Sequence, residues 1–379
     1  MTSEPAPTPL STPTPPQVKV FHFLLRNIVP ILFLVMCSVG FVYSEMQGLF
    51  FIRELLTRFY RNAYLVISLI IPVLAGLGLN FGIVLGAMAG QFGAIITVFY
   101  ELEGFYGFAV AWLISIPLAI LFGWLTGELF NRTKGKEMIT GLILSFFANG
   151  IYLLICLLLV GSKLIPVSED NSYLLLPNGI GLVNTIDLDN WQYAIDKLWM
   201  LDLDKVFPGW FGKPLFFKIP LSTLLLIVLL CVGVRLLFRT KLGQNLRAVG
   251  QDRHIAEVSG IKVDRTRIIA IIFSTVLAAW GQLLFLQNMG NLQTYGSHVQ
   301  VGTFAVAALL VGGASVSRAT IWQAIMGILL FHALFIVSPN AGKNIMEGNA
   351  QIGEYFRVFV TYGVIGVALA LHAWQRKKR

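Results

Sequence analysis

Three sets of residues in this 379-residue chain have types and spacing that can act together. The first is a polar loop, Thr240 to Arg267, reading TKLGQNLRAVGQDRHIAEVSGIKVDRTR. Asp252 can cap the first turn of a short helix there, and Gly260 can end it. Ile255 and Val258 would fall on one face of that helix, with Arg253 and Glu257 near the other. Such a piece is either a docking knob for a partner or an ordinary interfacial loop helix, and the residues leave both open. The second set is uncharged and polar: Asn80, Gln91, Asn149, Ser274 and Gln282, with Gln287 and Asn288 beyond them, all in or near long apolar runs. Polar groups so placed bond between helices or line a path for a neutral or zwitterionic solute. The third is the series Gly78, Gly82, Gly86 and Gly90. It either lets helices pack closely or marks a broken helix with Asn80 and Gln91 exposed to a path.

Residues for covalent or metal chemistry are not grouped. Cys37, Cys156 and Cys231 lie singly inside apolar runs, and the five histidines have no metal-binding spacing. No nucleophile and base stand together by spacing, and no GxxxxGK[ST] phosphate loop is present. No catalytic residue, metal or cofactor is expected. An enzyme would need a cluster at one membrane face, for which Glu101, Glu103, His298 and Glu347 are the available groups.

The elements that must hold these residues follow from hydropathy. Hydrophobic residues make up 56% of the chain, charged ones only 12%, and the mean hydropathy is +0.75. A water-soluble fold could not hide that much apolar surface, whereas a bilayer accepts it. At about 20 residues per crossing the runs predict an all-α polytopic membrane protein with about ten transmembrane helices. One basic break, Arg53 to Arg61, reads as a short interfacial helix with Phe50, Leu55 and Phe59 facing lipid. Residues 1–20 form a Pro- and Thr-rich tail that cannot fold, 21–375 the membrane domain, and 376–379 a basic tail. The net charge of +9 sits in short loops rather than on one folded face, which argues against nucleic-acid binding. Residues 239–267 carry seven basic and three acidic side chains, residues 162–218 five and seven. The positive-inside rule then places 239–267 and both termini in the cytoplasm, and 162–218 outside.

The stretch Arg239 to Gln282 resembles the permease subunits of ABC importers, in the branched-chain amino acid, ribose and nucleoside permease family. The order R-T-x-x-G, R-A-V-G and A-x-x-x-G-I falls on Gly243, Arg247, Ala248, Val249, Gly250, Ala256, Gly260 and Ile261. The resemblance implies that this loop, with Arg253 and Glu257, seats in an ATPase subunit. Gly135 to Phe147 is similar to the nucleoside branch at Glu137, Ile139 and Thr140, with Ser145 where those proteins have Asn. Asn80-Phe81-Gly82 resembles their N-I-G, although Val84 and Gly86 replace the Glu and Gln that follow. The resemblance further implies a second permease subunit, identical or paralogous, an external solute-binding protein, a multi-pass place in a bacterial cytoplasmic membrane, and a small polar solute, with a nucleoside or simple sugar preferred and a branched-chain amino acid also open. A secondary transporter or channel working without an ATPase is the competing reading, and the lack of charged groups in the apolar runs disfavours it.

Overall fold

The computed structural model describes residues 27–203, 218–345 and 351–359, together with 362, 363, 366 and 370. The two tails and Glu347 therefore lie outside the described residues. The described chain is a helical bundle: α1 (Ile28–Ser44), α2 (Gly48–Ser68), α3 (Ile70–Leu74), α4 (Ile83–Phe99), α5 (Gly104–Arg132), α6 (Glu137–Leu154), α7 (Leu221–Leu237), α8 (Lys241–Gln251), α9 (Arg253–Val258), α10 (Val263–Met289), α11 (Ser297–Val311) and α12 (Ile321–Ile345). Among the described residues four helices are long and apolar enough to cross a membrane, five if α7 and α8, bent by 73°, are one span. Three shorter apolar helices, α1, α4 and α11, accompany them.

α10 is the axle. It packs on α5, α4, α2 and α3, and its N-terminal end meets α8 and α9. α12 closes the other side against α1, α2 and α11. Small residues permit the approach: a Cβ on Gly86 would sit 2.5 Å from the Thr275 carbonyl oxygen, and one on Gly90 2.4 Å from that of Ala279. The glycine series serves close packing at one end and a break in the helix at the other. Gly86 and Gly90 seat α4 on α10, whereas Gly78 (φ +76°) lies in a non-helical break, residues 75–82, between α3 and α4.

One expectation needs correction. The Arg53–Arg61 segment is not a separate interfacial helix. Nothing between Gly48 and Ser68 breaks a helix, and α2 runs through it. Leu55 and Phe59 pack against the core, and only Phe50 remains exposed. The run Ala63 to Tyr100 holds the end of α2, the short α3, the break and α4.

The long polar segment, residues 162–218, carries short strands where described. β1 (Thr185–Asp187) pairs antiparallel with β4 (Asn291–Gln293) just after α10, and β2 (Met200–Asp202) pairs with β3 (Lys218–Pro220) just before α7. Trp191 is buried beneath it against Phe108 of α5. The segment is therefore stitched to the C-terminal end of α10 and the N-terminal end of α7.

Candidate functional site

The loop singled out in the sequence folds as its residues require. Thr240 accepts a hydrogen bond from the Gly243 amide and caps α8. Gly243 is obligatory, since a Cβ would lie 2.0 Å from the Leu237 carbonyl oxygen. Asp252 Oδ1 accepts from the Ile255 amide at 3.0 Å and starts α9. Gly260, at φ +81°, ends it, and the Ile261 amide bonds back to the Ala256 carbonyl. Val249 and Ala256 are buried with Val263, and Ala248 and Ile261 pack on them. Arg247 is exposed, its guanidinium over the Phe238 ring. The outer face of α9 carries Ile255 at 65% exposure, Val258 at 77%, and the exposed Glu257. Of the predicted contact residues, Glu257 and Gly260 are thus open to a partner, while Gly243, Val249 and Ala256 build the platform.

Besides the apolar contact with Val263 of α10, the platform is fastened to the membrane helices by polar bonds around Glu137. Gly250 abuts the break: its Cβ would fall 2.2 Å from the Leu74 carbonyl oxygen. Arg253 turns inward instead of outward. Its Nη2 lies 2.7 Å from Glu137 Oε1 and 3.4 Å from the Gly76 carbonyl oxygen. Glu137, at the start of α6, also takes Nη2 of Arg267, on α10, at 2.5 Å. Arg267 is fully buried and makes a further bond to the Phe130 carbonyl of α5. One carboxylate therefore joins α5, α6, α9, α10 and the α3–α4 break. A cleft of about 420 Å³ opens beside it, lined by Gly76 and residues 249–254.

The predicted path residues fall into three groups. Asn80, in the break, faces Ser274 of α10 at 3.5 Å. Ser145 of α6 donates to the Phe81 carbonyl at 2.7 Å and so satisfies the broken backbone. Gln282 donates to Ser297 at 3.0 Å. Gln91 bonds Tyr152 and the Thr294 carbonyl through its amide nitrogen, and its oxygen lies 3.1 Å from His298 Nδ1. The other ring nitrogen of His298 lies 2.8 Å from the Asn149 amide. Gln91 and Asn149 are thus bridged by a histidine. Asn80, Gln91, Ser274 and Gln282 are fully buried, so none of them faces an open passage, and the Asn80 and Gln282 oxygens have no hydrogen-bond partner.

At the C-terminal end of α10, Asp196 of the polar segment is buried against α10 and α7. It takes hydrogen bonds from Thr223, from Gln287 at 3.1 Å and from Asn288 at 3.4 Å. Arg61 reaches the same cluster through Asn288 at 2.8 Å. Burial raises the Asp196 pKa above the ordinary aspartate value, and the bonds from Thr223, Asn288 and Gln287 pull against that rise. A second cleft, about 230 Å³, opens nearby and is lined by Glu101, Tyr173, Asp187, Asp189 and Trp191.

Sequence reasoning missed His298, Glu137 as a hub, and Asp196. His298 was weighed for metal spacing and as an outer-face group, yet it is fully buried among amides. The usable signal at Glu137 was a lone acid between the basic turn at Arg132 to Lys136 and a long apolar run. Among the described residues no three metal-ligating side chains converge.

The profile of the family described as "Branched-chain amino acid transport system / permease component" matches residues 51–369. The chain belongs to this family. As a family member it is a permease of the ABC importer class and is embedded in a membrane through several apolar helices. The fructose import permease protein FruG of Bifidobacterium longum is 24% identical over 347 residues, 88% of this chain and 90% of that one. The nucleoside ABC transporter permease protein NupC of Lactococcus lactis is 24% identical over 291 residues, 73% of this chain and 81% of that one. The xylose transport system permease protein XylH of Haemophilus influenzae is 27% identical over 161 residues, and that match spans only 42% of this chain and 40% of its own length. These relatives are named as transport components rather than as enzymes.

Proposed function

We propose that this permease is the membrane subunit of an ATP-driven importer for a small neutral polar solute, a sugar or a nucleoside. The observation that carries the reading is α9. It is a capped helix that exposes Ile255 and Val258 while its base is bonded to the core through Arg253. Exposed apolar side chains on a polar loop of a membrane protein are costly unless a partner covers them, and the partner here is an ATPase subunit. The chain itself carries no phosphate loop, so the nucleotide must bind elsewhere.

In this reading residues 21–375 are one permease domain with about ten crossings and cytoplasmic ends, in the cytoplasmic (inner) membrane. A second permease subunit, identical or paralogous, completes the path. An external binding protein delivers solute to the 162–218 side. The amides of Asn80, Gln91, Asn149 and Gln282, with Ser274, are the groups a hydroxyl-rich or heterocyclic solute would meet once the bundle opens. Alternating access then follows from a population shift that ATP binding drives through α9.

The experiment is recovery of the chain from detergent-solubilised native membranes, with identification of what comes with it. An ATPase subunit in near-equal amount supports the reading, and deletion of residues 253–259 should remove it while the chain still inserts. Recovery of the chain alone, with solute uptake persisting after ATP depletion, would sink the reading in favour of an ion-coupled carrier.

A further inference from the structure

We propose that Glu137 is a detachable joint: Arg253 holds α9 to it in one state and leaves it in the other, while Arg267 stays. The proposal rests on the importer reading and adds the residues that carry motion from α9 into the bundle.

The two arginines differ in a way that makes this possible. Arg267 sits on α10, is fully buried and has no route to water. Arg253 sits on the short α9, and its side chain is 31% exposed beside the cytoplasmic cleft. When a buried carboxylate loses its only cation, the cost is severe, because a bare charge is left behind. Glu137 has two cations. If Arg253 leaves, Arg267 still neutralises it, and Arg253 regains water at the cleft. The departing contact also has a replacement. Arg267 spends only Nη2 on Glu137 and Phe130, and its Nε and Nη1 have no acceptor. A carboxylate released by Arg253 can turn onto that free edge and form a two-pronged bond. Both states are therefore satisfied, which a switch requires and a permanent brace does not.

The joint also sits where motion would matter. Arg253 bonds the Gly76 carbonyl as well as Glu137, so its departure frees the start of the α3–α4 break. That break holds Asn80 and is otherwise fixed by Ser145 on the Phe81 carbonyl. Glu137 and Ser145 lie two turns apart on α6. Attachment at both points holds the break closed, and loss of the first lets α9 pull one side of it.

The test uses the whole complex purified with its ATPase subunit. Cys37, Cys156 and Cys231 are replaced, and spin labels are placed at Lys136 and His254, both exposed, on either side of the joint. Distances are read without nucleotide and after trapping with ATP and vanadate. The expected result is two distance populations, with trapping favouring the longer. Arg253→Gln should give the longer one already without nucleotide, and Arg253→Lys should restore the shorter in part. Arg253 is partly exposed and its loss leaves Glu137 paired, so these variants fold. A Lys136–His254 distance that nucleotide does not change, or Arg253→Gln keeping the wild-type distribution, would overturn the joint while leaving the importer reading intact. Failure of any ATPase subunit to co-purify would overturn both.

Discussion

The two ends of α10 solve the same problem in opposite ways. Each brings a buried carboxylate from another segment against the helix. At its N-terminal end, the inner one in the proposed orientation, Glu137 meets two full cations, Arg253 and Arg267. At its C-terminal end, the outer one in the proposed orientation, Asp196 meets a hydroxyl and two amides, and Arg61, the cation that acts on it, bonds Asn288 instead. Full charges bond strongly and lose much when one partner is cut. Neutral donors bond less strongly and leave the carboxylate partly uncompensated. The inner end is built from strong contacts of which one is accessible to water. The outer end is a closed clamp that fixes the external segment to α7 and α10. Such a pairing suits a lever whose driven end moves and whose far end is anchored.

Cutting the inner carboxylate tests the first half of this contrast. Glu137→Ala leaves Arg267 buried without an anion, and a loss of about 3–5 kcal/mol is expected. Thermal unfolding of the purified chain should show it as a large drop in Tm or as failure to accumulate. A drop no greater than that of a surface substitution would mean that water already reaches Arg267. At the outer end Thr223→Val removes one donor from a buried carboxylate while keeping its shape. The expected loss is smaller, about 1.5–3 kcal/mol. If the two losses come out equal, the distinction between the ends fails.

Much of this was legible beforehand. The α8–α9 loop was readable because capping is local: Asp252 and Gly260 act within a few residues of their own positions. The family resemblance in the same loop named residues that prove structural, such as Gly243 and Ala256, because their small size is what lets helices meet. The role of Arg253 was not legible. Its partner, Glu137, is 116 positions away, and nothing local says whether a half-exposed arginine turns in or out. The same holds for the polar path. Gln91 and Asn149 stood out as polar residues in apolar runs, but the histidine between them comes from α11, and only the packing of α4, α6 and α11 joins the three. Asp196 was hidden among the other charges of an external segment whose net acidity suggested solvent.

Acidity separates the ends next. The folded-state pKa of Asp196 lies above its unfolded value, so the folded protein takes up this proton first as pH falls. The contribution is full below about pH 4, the ordinary aspartate value, and is lost as pH rises through the raised one. The outer clamp should therefore tighten on acidification. Tm of the wild type should rise as pH drops from neutral toward the carboxylate range more than Tm of Asp196→Asn does, and at neutral pH the variant should be at least as stable. A wild-type profile that matches the Asp196→Asn profile would show that the amides and Thr223 already offset the burial.

The smallest effect sharpens the comparison most, because it touches the driven end without touching its charges. Asp252→Ala removes the cap of α9 and leaves Arg253, Glu137 and Arg267 in place. A lost cap costs roughly 1 kcal/mol, and on a six-residue helix that is enough to fray the turn bearing Ile255. Global Tm should barely move, since the bundle does not depend on α9. Retention of the ATPase subunit should weaken, because Ile255 and Val258 no longer stand in one orientation. Hydrogen exchange should quicken at residues 253–258 and stay unchanged in α10. A variant that frays α9 yet keeps the ATPase subunit bound at full strength would show that docking does not use this helix, and the contrast between a driven and an anchored end would lose its inner half.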